Sequence, residues 1–147
     1  MKVSKSEYAK MVKKASPPSK LISNCLKAFL VGGIISVIGE LLGELYAAVG
    51  FGSNQVAMMV PVTLIFLSIL LTALGVYDII ARQAGAGTLV PITGFANAVA
   101  SPAIEFKTEG FVMGVGANMF KIAGPVIVYG VSASVVYGLI YWITTLF

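Results

Sequence analysis

The segment Gln83–Ile104 reads QAGAGTLVPITGFANAVASPAI, and it decides how this chain is organised. Its 22 residues carry no charge, so hydropathy alone predicts a membrane-spanning helix, which needs about 20 apolar residues. A plain helix is disfavoured because five glycines and prolines interrupt the segment, at Gly85, Gly87, Pro91, Gly94 and Pro102. Irregular backbone survives at membrane depth only where protein buries it or water reaches it. We therefore expect a discontinuous or re-entrant element over residues 84–104, with a simple packed loop as the alternative.

The rest of the chain also has the composition of a membrane protein. Hydrophobic residues make up 58% of the 147 residues and charged residues 11%, and a soluble domain this small cannot bury so much apolar surface. The absence of histidine and the single cysteine exclude a Ser-His-Asp triad, a Cys-His pair and a histidine-based metal site. We expect an all-α integral membrane protein that is not an enzyme, with no metal and no cofactor.

Uncharged stretches predict three to four membrane segments in one membrane domain, residues 26–147, behind a tail, residues 1–25. The segments are residues 26–46, 56–77, 84–104 and 122–146, with a short glycine-rich helix over residues 110–121. If residues 84–104 re-enter the membrane, the charged loop after them is cytoplasmic and the C-terminus lies outside. If they span it, that loop lies outside. Acidic residues contribute little to orientation, so both topologies stay open.

The net charge of +4 belongs to the tail. Residues 1–27 have a net charge of +6 and the remainder −2. Lysines beside an apolar segment are typical of a cytoplasmic loop, whereas a nucleic-acid arm would carry arginines and aromatic residues. A cleaved signal peptide is the alternative for this end. We expect an uncleaved cytoplasmic N-terminus with a short helix over residues 2–14 that Pro17-Pro18 stops.

Small residues recur at helical spacing in the first and last predicted segments. Such stripes let helices approach closely in membranes. The predicted packing positions are Gly32, Ser36, Gly39 and Gly43 in the first segment, and Gly130, Ser134 and Gly138 in the last.

Polar groups within the apolar segments are candidate pore or ligand residues, because charge at membrane depth is costly. The candidates are Glu40, Gly85, Gly87, Pro91, Asn97, Asn118 and Lys121. A half-helix that starts after the glycines would direct free N–H groups and a positive dipole end towards an anion. We expect Glu40→Gln, Asn97→Ala or Lys121→Met to lower anion flux, and Gly85→Leu to be worse because it fills a close backbone approach.

Each charged candidate also has a simpler interpretation. Lys121 either snorkels to an interface, pairs with Glu40 or Glu44, or offers a positive site to an anion. Asn118 and Lys121, three residues apart, share a helix face and would line one cavity. Asp78 and Arg82, four residues apart, suit an interfacial ion pair better than a gate.

Several motifs, in fixed order from Pro17 onward, resemble the stage V sporulation protein AC family. They are Asn24–Gly33 (NCLKAFLVGG), Gly75–Asp78 (GVYD), Ala84–Gly87 (AGAG), Val90–Asn97 (VPITGFAN), Glu109-Gly110, Gly114-Val115 and Asn118–Lys121 (NMFK). The sister AE proteins share the Gly-Ala-Gly and Val-Pro motif but lack this basic Pro-Pro tail.

The resemblance implies a component of the spore inner membrane of endospore-forming bacteria. It implies a complex that moves dipicolinic acid, with calcium, into the developing spore and out during germination, together with AD-type and AE-type partners. The AC member is implied to be a mechanosensitive channel component. A non-conducting membrane scaffold that anchors soluble or sister subunits of that complex is the alternative. Because one short chain has few helices to enclose a pathway, we expect an oligomer or a pore shared with a sister subunit.

Overall fold

The computed structural model describes residues 4–15 and 20–146, and over these ranges the chain is helical without strands. The helices are α1 (Lys5–Ala15), α2 (Leu21–Val49), α3 (Ser53–Ala73), α4 (Val76–Ala84), α5 (Pro91–Glu105) and α6 (Ala117–Thr145). Short 3-10 turns occupy Gly85–Thr88 and Phe106–Glu109, and a π-helical turn over Phe111–Gly116 runs directly into α6. Three helical stretches are long and apolar enough to cross a membrane: Leu21–Val49, Ser53–Ala73 and Phe111–Thr145. The predicted all-α membrane fold is thereby confirmed.

Helix α1 begins with a capping box in the basic tail. Ser4 Oγ accepts the Glu7 backbone N–H at 3.3 Å, and Glu7 Oε2 accepts the Ser4 backbone N–H at 3.0 Å. This exchange satisfies two N–H groups that a helix start otherwise leaves unpaired. The predicted stop at Pro17-Pro18 lies outside the described residues.

Helix α2 ends in a Schellman motif at Gly50, which has a left-handed φ of +101°. The Gly50 N–H bonds Ala47 O at 3.0 Å and the Phe51 N–H bonds Tyr46 O at 3.2 Å. The Tyr46 and Phe51 rings meet edge to face, with centroids 6.1 Å apart. This apolar contact is the usual companion of the motif, and the chain turns here into α3.

Helices α2 and α3 are antiparallel neighbours. Gly39 packs against the Leu64 side chain, and Gly43 packs against the side chains of Val60 and Val56. The residue numbers of the contacts fall along α3 as they rise along α2. The start of α2 and the end of α3 therefore lie at the same end of the molecule. We call this end, near Leu21 and Ala73, the tail end, and the opposite end, at residues 50–52, the loop end.

Helix α3 stops four residues before the predicted boundary at Tyr77. Gly75 adopts a left-handed conformation, with φ of +71°, and a separate helix, α4, begins at Val76. A residue with a side chain is strained in this conformation, so the glycine is what allows the break. Tyr77, Asp78 and Arg82 therefore lie on α4.

Helix α5 runs parallel to α3, which resolves the topology of residues 84–104. Ser68 of α3 bonds Thr93 of α5, and Thr72 bonds Asn97, so the two residue numbers rise together. The helix therefore begins beside the C-terminal half of α3. It continues twelve residues past Thr93, about 18 Å, whereas α3 ends five residues past Ser68. The segment thus enters from the tail end and returns to it, as the re-entrant alternative requires.

The last part of the chain forms one helix where the sequence predicts two. The stretch Phe111–Thr145 is continuous, so there is no boundary between residues 121 and 122. Lys121 does not end a helix because its side chain is exposed and needs no break in the backbone. The opening turns pack against α5 and bury Ala123 completely, but from Pro125 to Leu146 every residue is exposed. The boundary predicted at residue 25 likewise falls inside α2, which begins at Leu21.

Candidate functional site

The N-terminus of α5 lies inside the bundle. Val90 is extended, Pro91 occupies the first helical position, and no side chain caps this end. Proline favours this geometry because it keeps the preceding residue out of the helix and its own N–H is not needed. The Gly94 N–H bonds Val90 O at 2.7 Å. The N–H groups of Ile92 and Thr93 have no partner within the helix, so the positive end of the helix dipole is directed into the protein.

Two hydrogen bonds fasten α5 to α3. The Ser68 hydroxyl donates to Thr93 O at 2.7 Å. The Thr72 hydroxyl lies 2.9 Å from Asn97 Oδ1 and 2.7 Å from Ser68 O, and it shares its one proton between these two acceptors. Both pairs are spaced four residues apart on each helix, so they form a short polar ladder along the contact. Asn97, predicted to line a pathway, is half-buried in this ladder.

The turn before α5 is tied down by backbone contacts. The Tyr77 hydroxyl donates to Thr88 O at 2.9 Å, and the Thr88 hydroxyl donates to Gly85 O at 3.1 Å. Tyr77 and Thr88 are both buried. The 3-10 turn therefore forms a fixed unit with α4.

Gly85 and Gly87 have different reasons to be glycine. A Cβ on Gly87 would collide with the backbone of Ala28, and a Cβ on Gly32 would lie 3.4 Å from Gly87 O. The close backbone approach is thus between Gly87 and α2. A Cβ on Gly85 would have no atom within 4 Å, so the expected steric reason at this position is wrong. What demands glycine there is the φ of +53°.

An open groove of about 680 Å³ lies between α2 and α3 and reaches the start of α5. Glu40 and Glu44 line it, both exposed, together with Val90 and Ile92 from the beginning of α5. The groove therefore brings two carboxylates to the same surface as the positive end of α5. Carboxylates are favourable near a helix N-terminus, and they attract cations from water.

Lys121 and Asn118 are apart from this groove. Lys121 is exposed, and within residues 4–15 and 20–146 the side chains that form an ion pair are Arg82 and Asp78, with Nη2 2.7 Å from Oδ2. Lys121 thus pairs with neither Glu40 nor Glu44. The Asn118 amide donates to Gly114 O, one turn earlier on its own helix, at 2.8 Å. The structure does not bring these two side chains to the residues that line the groove.

The two small-residue stripes have different surroundings. Gly32, Gly39 and Gly43 face the 3-10 turn and α3, whereas the Ser36 hydroxyl bonds Gly32 O on its own helix. Gly130 and Gly138 have nothing within 4 Å of an added Cβ, and Ser134 bonds Gly130 O. The α6 stripe is thus unoccupied by any described residue of this chain.

Sequence reasoning missed the polar ladder and Thr93. Thr93 is buried, and its Oγ1 has no hydrogen-bond partner. The spacing of Ser68 and Thr72, and of Thr93 and Asn97, was a detectable signal, because both pairs lie four apart in apolar segments. In the described part of the chain, no group of three or more Cys, Asp or Glu side chains is placed to hold a metal ion.

Comparison with known proteins adds a family. The sequence model of the SpoVAC/SpoVAEB sporulation membrane protein family matches residues 24–140 of this chain. The chain is 48% identical over 137 residues to stage V sporulation protein AC of Bacillus subtilis (strain 168), covering 92% of this chain and 91% of that protein. No solved structure matches the chain.

Proposed function

The chain belongs to the SpoVAC/SpoVAEB sporulation membrane protein family, and from this premise we propose that it is a transport subunit of the SpoVA membrane complex. The proposed solute is dipicolinic acid with calcium, moved across the spore inner membrane during sporulation and germination. The proposed partners are AD-type and AE-type sister subunits.

One observation carries the transport proposal. We call α4, the 3-10 turn Gly85–Thr88 and α5 the re-entrant hairpin. The hairpin turns inside the bundle, where the uncapped start of α5 borders the open groove between α2 and α3. Discontinuous helices in transporters use such N-termini to hold anionic groups. A helix that served only to anchor a partner would have no need of a free N-terminus at this depth, where unpaired N–H groups are costly.

The charge of the groove favours an anion accompanied by a cation. Glu40 and Glu44 would repel a free dianion that entered beside them. A calcium ion would neutralise dipicolinate, so the pair would pass the carboxylates without that repulsion. A carboxylate of the solute would then meet the N–H group of Ile92 at the start of α5.

The basic tail supplies the proposed orientation. Lysines favour the cytoplasmic side, which places the tail end and the mouth of the re-entrant hairpin in the cytoplasm. The groove then opens from mid-membrane towards the opposite face.

A membrane scaffold is the second candidate, and a specific observation favours it. From Pro125 to its end at Thr145, every residue of α6 is exposed, as expected of a segment that docks on another subunit. The two functions are compatible in one complex, but only transport requires the groove.

Flux measurements separate the two functions. The chain is reconstituted into liposomes alone and with its sister subunits, and dipicolinate efflux is followed with and without calcium. Transport predicts efflux that depends on the chain and rises with calcium. If liposomes with every subunit release solute equally well when this chain is left out, the transport proposal fails and the scaffold function remains.

A further inference from the structure

Helix α1 has an apolar face that the rest of the described chain leaves open. Tyr8 starts this face, and Met11, Val12 and Ala15 continue it three, four and seven residues further on, the spacing of one side of a helix. Tyr8, Met11 and Val12 are 66%, 60% and 45% exposed. A helix of 11 residues is marginal in water by itself, so this helix needs a surface against which to pack its apolar face.

The same helix is strongly basic. Four lysines against Glu7 give α1 a net charge of +3. At about 100° per residue, Lys5 and Lys14 lie about 60° and 120° around the helix from Tyr8, on opposite sides of the apolar face. A surface that matches this helix is therefore apolar where the face meets it and negatively charged along both edges.

A bilayer surface is within reach of α1. Helix α1 ends at Ala15 and α2 begins at Leu21, six residues later, which limits the distance between these two ends to about 20 Å. Helix α2 is long and apolar enough to cross a membrane. Lys20 and Lys27 lie at the start of α2 and add two positive charges there. Wherever α2 enters the bilayer, the chain therefore holds α1 close to the headgroups.

We propose that α1 is an interfacial helix that binds the anionic lipid headgroups around the start of α2. Its apolar face enters the boundary between headgroups and acyl chains, and its lysines reach the lipid phosphates from both edges of that face. A nucleic acid would match the charge but would leave the apolar face in water. The proposal rests on membrane insertion of the chain and is independent of the transport function.

Spin labels on the full chain in nanodiscs test this surface. Cys25, the single cysteine, is replaced by serine, and a nitroxide is attached at Ala15→Cys on the apolar face or at Ala9→Cys, about 100° around the helix from Tyr8. In phosphatidylglycerol nanodiscs, the Ala15 label should be shielded from a water-soluble relaxation agent and the Ala9 label should stay accessible. In phosphatidylcholine, or in about 1 M NaCl, which screens the charges, the shielding of the Ala15 label should be lost.

Matched variants separate charge from apolar contact. Lys5→Gln should lower the ratio of shielded to free Ala15 label about fivefold in phosphatidylglycerol, which corresponds to about 1 kcal/mol for one lysine at an anionic surface. A cation at a helix N-terminus opposes the helix dipole, so this loss cannot come from a weaker helix. Lys5→Arg keeps the charge and should leave the ratio unchanged. Met11→Gln should lower the ratio about tenfold, because an apolar side chain of that size no longer leaves water.

Three outcomes overturn the proposal. The first is equal accessibility of the Ala15 and Ala9 labels in phosphatidylglycerol. The second is shielding of the Ala15 label that is the same in phosphatidylcholine and insensitive to salt. The third is shielding that appears only when a sister subunit is added, which assigns the apolar face to a protein contact instead of lipid.

Discussion

Gly87 of the re-entrant turn lies directly against Ala28 of α2. A Cβ built on Gly87 would come 2.5 Å from the Ala28 carbonyl oxygen and 2.8 Å from its Cα. Both are backbone atoms of a helix, which cannot move aside as the end of a flexible side chain can. The contact therefore fixes how deeply the hairpin enters the bundle.

Gly87→Ala is expected to destabilise the chain by about 1–3 kcal/mol, the usual cost of overpacking a tight contact. The measurement is the unfolding midpoint of the purified protein in detergent. Gly33→Ala is the matched control, because a Cβ there has nothing within 4 Å. Equal midpoints for the two variants would show that the hairpin is not held by this contact.

The Thr72–Asn97 hydrogen bond should couple α3 to α5. A double-mutant cycle with Thr72→Val and Asn97→Ala is expected to give a coupling of about 0.6 kcal/mol, the average for such bonds in membranes. If Asn97 only positions the hairpin, both single variants will lower flux equally. A larger flux loss in Asn97→Ala would assign its amide a further role towards the solute, and zero coupling would contradict the ladder.

Much of the fold could be predicted because glycine and proline act locally. Gly85 and Pro91 lie where the helix breaks, and each break follows from a conformation or a missing N–H that the residue type imposes. Hydropathy also located the three crossing stretches, since their length and composition are properties of the segment itself.

The direction of α5 could not be predicted, because spanning and re-entrant segments of this length have the same hydropathy. Register decides between them, and register depends on which side chains meet, such as Ser68 with Thr93. The same limit applies to Lys121. A charge in a sequence does not show whether its side chain faces a pathway or, as here, lies exposed on a continuous helix.

The capping box of α1 should make the start of this helix sensitive to acid. Hydrogen bonds to Glu7 from the Ser4 backbone N–H, and then from its hydroxyl, lower the pKa of the Glu7 carboxyl below its ordinary value. Because the pKa of Glu7 is lower in the helix than in the unfolded chain, the ionised carboxylate stabilises the capped helix when the pH is above the ordinary pKa of a glutamate. This stabilisation is lost as the pH falls through the lowered pKa.

Amide hydrogen exchange of the full chain, corrected for intrinsic rates, reports this change. Protection in the first turn of α1 should fall as Glu7 is protonated, whereas Glu7→Gln should have protection that does not vary over that range. An unchanged profile in wild type would mean that the box contributes nothing. Glu105, the last residue of α5, provides a matched Glu→Gln control.

The exposed half of α6 is expected to act in association rather than in folding. Gly130→Leu should change the unfolding free energy of the isolated chain by less than about 0.5 kcal/mol, because no described residue faces it. We expect it to weaken co-purification with the sister subunits, since leucine closes the stripe that lets another helix approach. Val131→Leu, on a different face, is the control. Equal recovery of partners by both variants would argue against the stripe as a contact surface.

Glu40 provides the sharpest test of the groove. Its side chain lines the groove that reaches the start of α5, so it should draw calcium, and thereby the neutral calcium dipicolinate pair, into that groove. Glu40→Gln keeps the size of the side chain and removes its charge. Calcium-dependent dipicolinate efflux from liposomes is expected to fall about fivefold, which corresponds to about 1 kcal/mol for one exposed charge interaction. Efflux without calcium should fall less or rise, because one source of repulsion to the free dianion is gone.

Glu109→Gln, on the loop before α6, is the control and should leave both rates unchanged. An equal loss with and without calcium would show that Glu40 acts through structure and not through the charge of the solute.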